Sequence, residues 1–220
     1  MKNRLFKNIQ LNIQLKALTT ALIFLVPLSS NALFEARLTY GALTSKDAIK
    51  DACNGTGLCG GGSIPAMVPL GGMGADAIFS PPLTDFGFGL RYEKLDLSAT
   101  SGGLEGKLNM TRTAAVVNYR LFNTLVHLGP IFTYGISHSG SMSMKLNGGG
   151  IMDYSGSKAT SYSLGFEVGV KPLIIIPIKI GAEAGYQATK FEGMTDSLGG
   201  ANRDVDLSGT YMKLFLGLDI

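Results

Sequence analysis

Residues 178–190, IKIGAEAGYQATK, place Ile178, Ile180, Ala182, Ala184, Tyr186 and Ala188 on one parity and Lys179, Gly181, Glu183, Gly185, Gln187 and Thr189 on the other. Successive side chains of a strand point to opposite faces, so this segment reads as a strand with one apolar face and one charged, glycine-rich face. Alternation alone leaves open which face meets water. Glycine weakens a strand whose polar face is merely solvated, whereas a narrow barrel interior needs small residues between long charged ones. The segment therefore predicts a membrane-spanning strand with its apolar face toward lipid, and such a strand needs siblings.

Seven further segments repeat the pattern: 33–43, 73–80, 86–93, 110–122, 125–137, 162–171 and 210–220. Connections near 81–85, 123–124 and 172–177 are short, and Pro81, Pro82, Pro172 and Pro177 mark two of them because proline cannot donate to a ladder. The run LIIIPIKI reads as strand, turn, strand for the same reason. Segments 44–70, 98–106, 139–160 and 191–209, rich in glycine and serine, read as mostly long loops. Short turns on one side, long loops on the other and an even strand number are the organisation of outer-membrane barrels. Each strand can reach the ~9–11 residues a tilted crossing requires, and closure leaves no edge amides unpaired in lipid. The expected fold class is all-β: an eight-stranded antiparallel up-and-down transmembrane β-barrel preceded by a cleavable signal peptide. A soluble lipocalin-like barrel is the alternative, and it has no need of the loop asymmetry.

Residues 1–32 carry Lys2, Arg4, Lys7 and Lys16, then an apolar run from Ala17 to Leu28, then Ser29-Ser30-Asn31-Ala32. That is the layout of a secretory signal with cleavage after Ala32, and the apolar run is too short and too interrupted for a spanning helix. The formal charge of +3 falls to near balance, 15 basic against 16 acidic residues, once this segment is set aside. The expected domains are thus 1–32, signal peptide, and 33–220, barrel. Cys53 and Cys59, in CNGTGLC, are expected to form a disulfide closing a small loop of an exported protein. Neither histidine nor further cysteine stands near them to complete a metal site. No phosphate-cradling motif, basic nucleic-acid stripe or cofactor signature is present, and no cofactor is expected.

Alternation places six acids, Glu35, Asp76, Glu93, Glu167, Glu183 and Asp219, in the lumen with seven bases, Arg37, Arg91, Arg112, Arg120, Lys171, Lys179 and Lys213. An eight-stranded barrel is only wide enough for side chains to fill it. These charges are expected to pair across the lumen as a structural plug, because an unpaired buried charge costs several kcal/mol.

With its signal segment, the inward-charged strands FGFGLRYE and IKIGAEAGYQ, and a strand running to the last residue, the chain resembles the small OmpA/OmpX-type outer-membrane β-barrels of Gram-negative bacteria. The resemblance implies insertion by the barrel-assembly machinery, which reads a C-terminal strand usually ending in an aromatic; here the end is Leu218-Asp219-Ile220. It implies outer-membrane lipid and lipopolysaccharide as surroundings, external loops and periplasmic termini, and a monomer.

Three roles follow for such a barrel. A structural or surface-interaction role would act through loops displaying Met142, Met144, Met152 and Tyr154, whose partner the sequence does not name. An OmpW-like passage of small hydrophobic compounds would use a weak seam at Pro130. A lipid A-modifying enzyme would need a His and a Ser two apart on the outer wall, and Ser137-His138-Ser139-Gly140-Ser141 has the wrong spacing. The first role is the expectation, without catalysis.

Overall fold

The computed structural model describes residues 34–45, 68–82, 84–101, 104–123, 125–146, 151–172, 177–197 and 202–220. The expected signal segment, the Cys53–Cys59 pair and the first half of LIIIPIKI, residues 173–176, lie outside the described residues. Among the described residues eleven strands are assigned: β1 Phe34–Ser45, β2 Val68–Phe79, β3 Phe86–Ser101, β4 Leu104–Tyr119, β5 Phe122–Asn123, β6 Val126–Leu146, β7 Ile151–Gly156, β8 Ala159–Val170, β9 Ile178–Asp196, β10 Arg203–Asp206 and β11 Gly209–Asp219.

They make eight staves. Strand β5 is a short continuation of β4 along β6. Strands β7 and β8 form one stave along β6 and β9, and β10 and β11 form another along β9. Every pairing is antiparallel, and β1 closes the ring on β11 from Glu35↔Asp219 to Ser45↔Gly209. Around the ring the order is β1, β2, β3, β4, β6, β8, β9, β11.

The wall is apolar where it is exposed. Leu38, Leu90, Ile136, Leu164, Ile180 and Leu216 all point outward and are more than half exposed. Phe34, Phe79, Phe86 and Phe88 bound this belt at the short-turn end, and Phe34 and Phe79 pack with ring centroids 5.2 Å apart. Tyr40, Tyr92, Tyr134, Tyr162 and Tyr186, all exposed, bound it at the other end, staggered as strand tilt requires. Nine residues of a strand tilted by ~40° climb roughly 20 Å, close to the height of a hydrocarbon belt between aromatic girdles. Exposure of this much contiguous apolar surface has one stable solvent, lipid.

Beyond the tyrosines the polarity inverts. Outward positions become Lys94, Asp96, Lys107, Ser139, Lys158 and Lys190, all exposed. Inward positions become Leu43, Leu70, Leu95, Leu108, Met110, Met142, Tyr154, Phe191, Met194, Val205 and Leu207, which form one buried cluster. The barrel thus continues past the belt as a water-exposed extension with an ordinary hydrophobic core. This corrects the sequence reading in three places. Segment 98–106 is mostly ladder, since β3 and β4 pair from Ser98↔Lys107 to Ser101↔Leu104. Within 139–160 lie the end of β6, β7 and the start of β8, and within 191–209 lie the end of β9 and β10. Met142 and Tyr154 are buried in the extension, so they are not displayed to a partner.

One local irregularity permits the inversion on β6, and a second, farther out on β9, keeps that strand's side chains in the apolar core. The β4–β6 register shifts between Thr113↔Ser137 and Ala114↔Gly135, which makes Ile136 an extra residue on β6. Inward positions on β6 are odd before it, such as His127 and Thr133, and even after it, His138 and Met142. Without that bulge Ser139 and Ser141 would face the extension's core. Strand β9 shifts likewise, from Phe191 inward to Met194 inward, around Gly193 at φ +60°. The amide of Gly193 donates to Asp204 Oδ1 at 3.0 Å, and this bond, with Lys190 beside it, holds the Asp204 carboxyl below its usual range.

The bulge account is checked by labelling. A cysteine at Ser139 should react with a water-soluble maleimide in the folded protein and one at Met142 should not; the reverse result would place the bulge elsewhere. Gly193→Ala should cost about 1 kcal/mol, from forcing a Cβ into a left-handed conformation, read as a shift in urea unfolding midpoint.

Candidate functional site

Among the described residues, charged chemistry gathers in the lumen inside the apolar belt, and two tiers build it. In the middle tier, Arg91 on β3 is clamped between two carboxylates. Its Nε and Nη2 donate to Asp76 Oδ1 and Oδ2 at 2.8 Å each, and its Nη1 and Nη2 donate to Glu183 Oε1 and Oε2 at 2.9 and 2.7 Å. Asp76 is on neighbouring β2, whereas Glu183 is on β9, diametrically across the ring. Tyr211 Oη donates to Glu183 Oε1 at 2.7 Å. Glu93 takes Lys213 Nζ on one oxygen and Arg112 Nη1 on the other, the latter at 3.0 Å. Arg112 also donates to Ser161 Oγ at 2.7 Å, Thr133 Oγ1 at 2.6 Å and Gln187 Oε1 at 3.3 Å.

The second tier stands nearer the short turns. Arg37 Nε donates to Glu35 Oε1 at 2.7 Å and its Nη1 to Glu167 Oε2 at 2.5 Å, while its guanidinium lies 4.5 Å from the Phe215 ring centroid. Asn118 Nδ2 donates to Glu167 Oε1 at 2.6 Å. Arg120 Nη2 donates to Glu35 Oε2, and Lys179 Nζ lies 3.0 Å from the same oxygen. Asp219 meets Lys179 at 3.1 Å and Lys171 at 2.7 Å. Arg37, Arg91, Arg112 and Lys179 are among the largest fully buried side chains.

All thirteen charged residues assigned to the interior by alternation therefore lie in these tiers, with Lys171 at the rim. The neutral partners Tyr211, Asn118, Thr133, Gln187 and Ser161 complete the network. Parity alone puts them inward, but only their cross-lumen reach reveals their partners.

Glycines set how closely the long side chains approach the wall. A Cβ at Gly165 would collide with the Tyr211 hydroxyl, and one at Gly181 with the Phe215 ring under Arg37. At the junction with the apolar extension, a cavity of about 10 Å³ is lined by residues including Gly41, Gly72, Glu93, Gln187 and Lys213. That volume holds about one water.

The histidine considered for lipid A chemistry is inside. The Ile136 bulge turns His138 into the lumen, 8% exposed, where its Nε2 shares a hydrogen bond with Ser161 Oγ at 2.7 Å. Ser137 and Ser139 face outward. No outer-wall pair forms between these residues. At Pro130 the regular β4–β6 ladder is interrupted: the pairs run to Asn118↔Ile131, and bonding resumes with the Leu121 amide donating to Leu128 O at 2.8 Å and the pair Phe122↔Leu128. Behind Pro130, however, Asn118, Ile131 and Gly129 are buried, so the filling of the lumen continues past the seam.

Belt, girdles and filled interior together define a small transmembrane β-barrel of eight staves. No family model and no curated protein matches the chain. Among solved structures it is similar to Ail, the attachment invasion locus protein of Yersinia pestis, at 14% identity and a TM-score of 0.47, over 85% of this chain and 96% of that one. It is similar to Neisserial surface protein A, at 12% identity and TM-score 0.44 over 85% and 97%. A major outer membrane protein from Thermus thermophilus aligns at 10% identity and TM-score 0.49 over 84% and 98%.

Overfilling should be costly. Gly165→Val and Gly181→Leu should each lower stability by about 1–3 kcal/mol in urea unfolding of the refolded barrel; neutrality of both would mean that the lumen is looser than its contacts indicate.

Proposed function

We propose that the chain is an outer-membrane barrel whose lumen is a structural charge plug and which acts through the surface of its extension, with no catalysis and no solute path. The observation that carries this reading is the Arg91 clamp. A guanidinium held by Asp76 on one wall and Glu183 on the opposite wall crosses the full width of an interior too narrow for a second layer. Membrane lipid and lipopolysaccharide meet the apolar belt, the barrel-assembly machinery inserts it, and neither nucleic acid nor a second subunit is part of the proposal. The extension points outward from the cell and the short turns and termini face the periplasm.

The extension gives the interaction role a different form from that of flexible loops. Its surface is a regular ladder whose outward side chains, such as Ser139, Ser141 and Asp153, are fixed in position by the core beneath them. The exposed pair Lys158–Glu192, at 2.8 Å, raises the Lys158 ammonium pKa through the hydrogen bond to Glu192, and it belongs to this surface.

Fractionation should place the protein in the outer membrane with a heat-dependent gel shift, and planar-bilayer recording of the pure barrel should show no steady conductance. Reproducible ion-selective channels would overturn the plug; recovery in the soluble periplasmic fraction would overturn the location.

A further inference from the structure

The charged core in lipid and the apolar core in water meet at one side chain, His138. It lies past the tyrosine girdle, four residues beyond Tyr134 on β6, and the Ile136 bulge turns it inward. On one side its Nε2 shares a hydrogen bond with Ser161 Oγ at 2.7 Å, and Ser161 is fully buried. On the other side its ring stands edge-on to Phe191, centroids 6.4 Å apart at 82°, and Phe191 belongs to the apolar cluster. The imidazole therefore fastens one core to the other.

The hydrogen bonds fix which form of the imidazole fits. Arg112 Nε donates to Ser161 Oγ at 2.7 Å and has nothing to accept with. Among the described residues the Ser161 hydroxyl proton then has one acceptor, His138 Nε2. His138 is thus neutral, with its proton on Nδ1. Protonation of Nε2 would orphan that buried hydroxyl proton. It would also bring a second cation within about 5.4 Å of Arg112 Nε, the two 2.7 Å contacts laid end to end. The main chain closes over this bond, since a Cβ at Gly135 would stand 2.2 Å from Ser161 Oγ and 2.3 Å from His138 Nε2.

Nothing nearby compensates such a charge. From β4, His138 faces Arg112, its partner across the ladder; from β8 it faces the Ser161 hydroxyl and from β9 the Phe191 ring. Glu93 on β3, the carboxylate that Arg112 reaches, is also held by Lys213. Burial, and then Arg112, hold the imidazole below its ordinary range. The folded chain binds fewer protons here than an open one, so the contact is complete at neutral pH and weakens as pH falls below the ordinary imidazole value of about 6.5.

We propose that His138 is an acid-sensitive latch: its neutral imidazole fastens the apolar core of the extension to the charged plug, and protonation releases it, loosening the extension while the barrel in lipid stays closed. The imidazolium relieves its contact with Arg112 by leaving the interior, which uncovers Phe191.

The inference rests on the reading of the extension as the acting surface, because it regulates the order of that surface. The test is NMR on the full chain in zwitterionic detergent, carrying labelled methionine methyls and labelled histidine, titrated from about pH 7.5 to about pH 4. At the upper end His138 should carry its proton on Nδ1. On acidification the methyls of buried Met110, Met142 and Met194 should change in one transition at the midpoint of the His138 ring, while Met73 and Met212 on the outer wall keep their signals. In His138→Gln, whose carboxamide accepts from Ser161 and takes no proton, the amplitude should fall at least fivefold. A heat-dependent gel shift shows that the variant is folded; should it not fold, the coincidence of midpoints in the wild type decides. Constant methyls across the range, a midpoint apart from that of His138, a transition kept in folded His138→Gln, or a proton on Nε2 at the upper end overturns the latch. Any of these contradicts the latch alone, whereas recovery of the protein in the soluble periplasmic fraction contradicts the reading of the surface.

Discussion

The structure depends on a geometric constraint: eight staves enclose an interior one side chain deep on each wall, surrounded by lipid. Backbone groups must pair within the ring, which closure through β1 and β11 achieves. Whatever fills the interior must then be satisfied by the opposite wall, because no bulk water is available. A guanidinium suits this setting, since its planar fork can meet two carboxylates at once and is always charged. Arg91 with Asp76 and Glu183, and Arg37 with Glu35 and Glu167, are the same solution used twice. Each clamp ties strands distant in sequence, so the ion pairs fix which walls face each other as well as neutralising charge.

The second constraint is where lipid ends. A barrel that continues into water with the same inside-out polarity would expose apolar side chains to solvent and bury serines without partners. The chain avoids this on β6 by adding Ile136, which exchanges inward and outward parity at the edge of the tyrosine girdle, whereas the shift at Gly193 on β9 lies farther out, past the already inward Phe191, and keeps Met194 in the apolar core. Elsewhere, as on β3, parity is kept and residue type changes instead, from inward Glu93 to inward Leu95. The result is one continuous sheet with a charged core in lipid and an apolar core in water. Rigidity of the extension follows from that apolar core, so a surface-interaction role would rest on fixed ladder positions.

Strand number, closure and the inward charges are legible in the sequence because parity is a local property: IKIGAEAGYQ states its two faces without reference to anything else. Which carboxylate meets which cation is not legible, since Arg91 and Glu183 are far apart in sequence and meet only after closure. The extension reads as loops for a physical reason. In GISHSGSMSMKL, either parity gives a plausible strand face, and one extra residue decides between a serine-lined and a methionine-lined interior. Apolar residues inside and Ser, Gly and Lys outside also give a segment the composition of a surface loop. The same bulge, invisible to simple alternation, is what moves His138 from the outer wall to the lumen.

The central claim, that ion pairs across the lumen hold the walls together, is tested most directly by a double-mutant cycle on Arg91 and Glu183. Urea unfolding in lipid would be compared for wild type, Arg91→Met, Glu183→Gln and the double variant. A buried pair of this kind should give a coupling energy of at least ~2 kcal/mol, because either single change leaves charge uncompensated. Additivity within ~0.5 kcal/mol would show that the two residues act independently, and the account of the plug would fail.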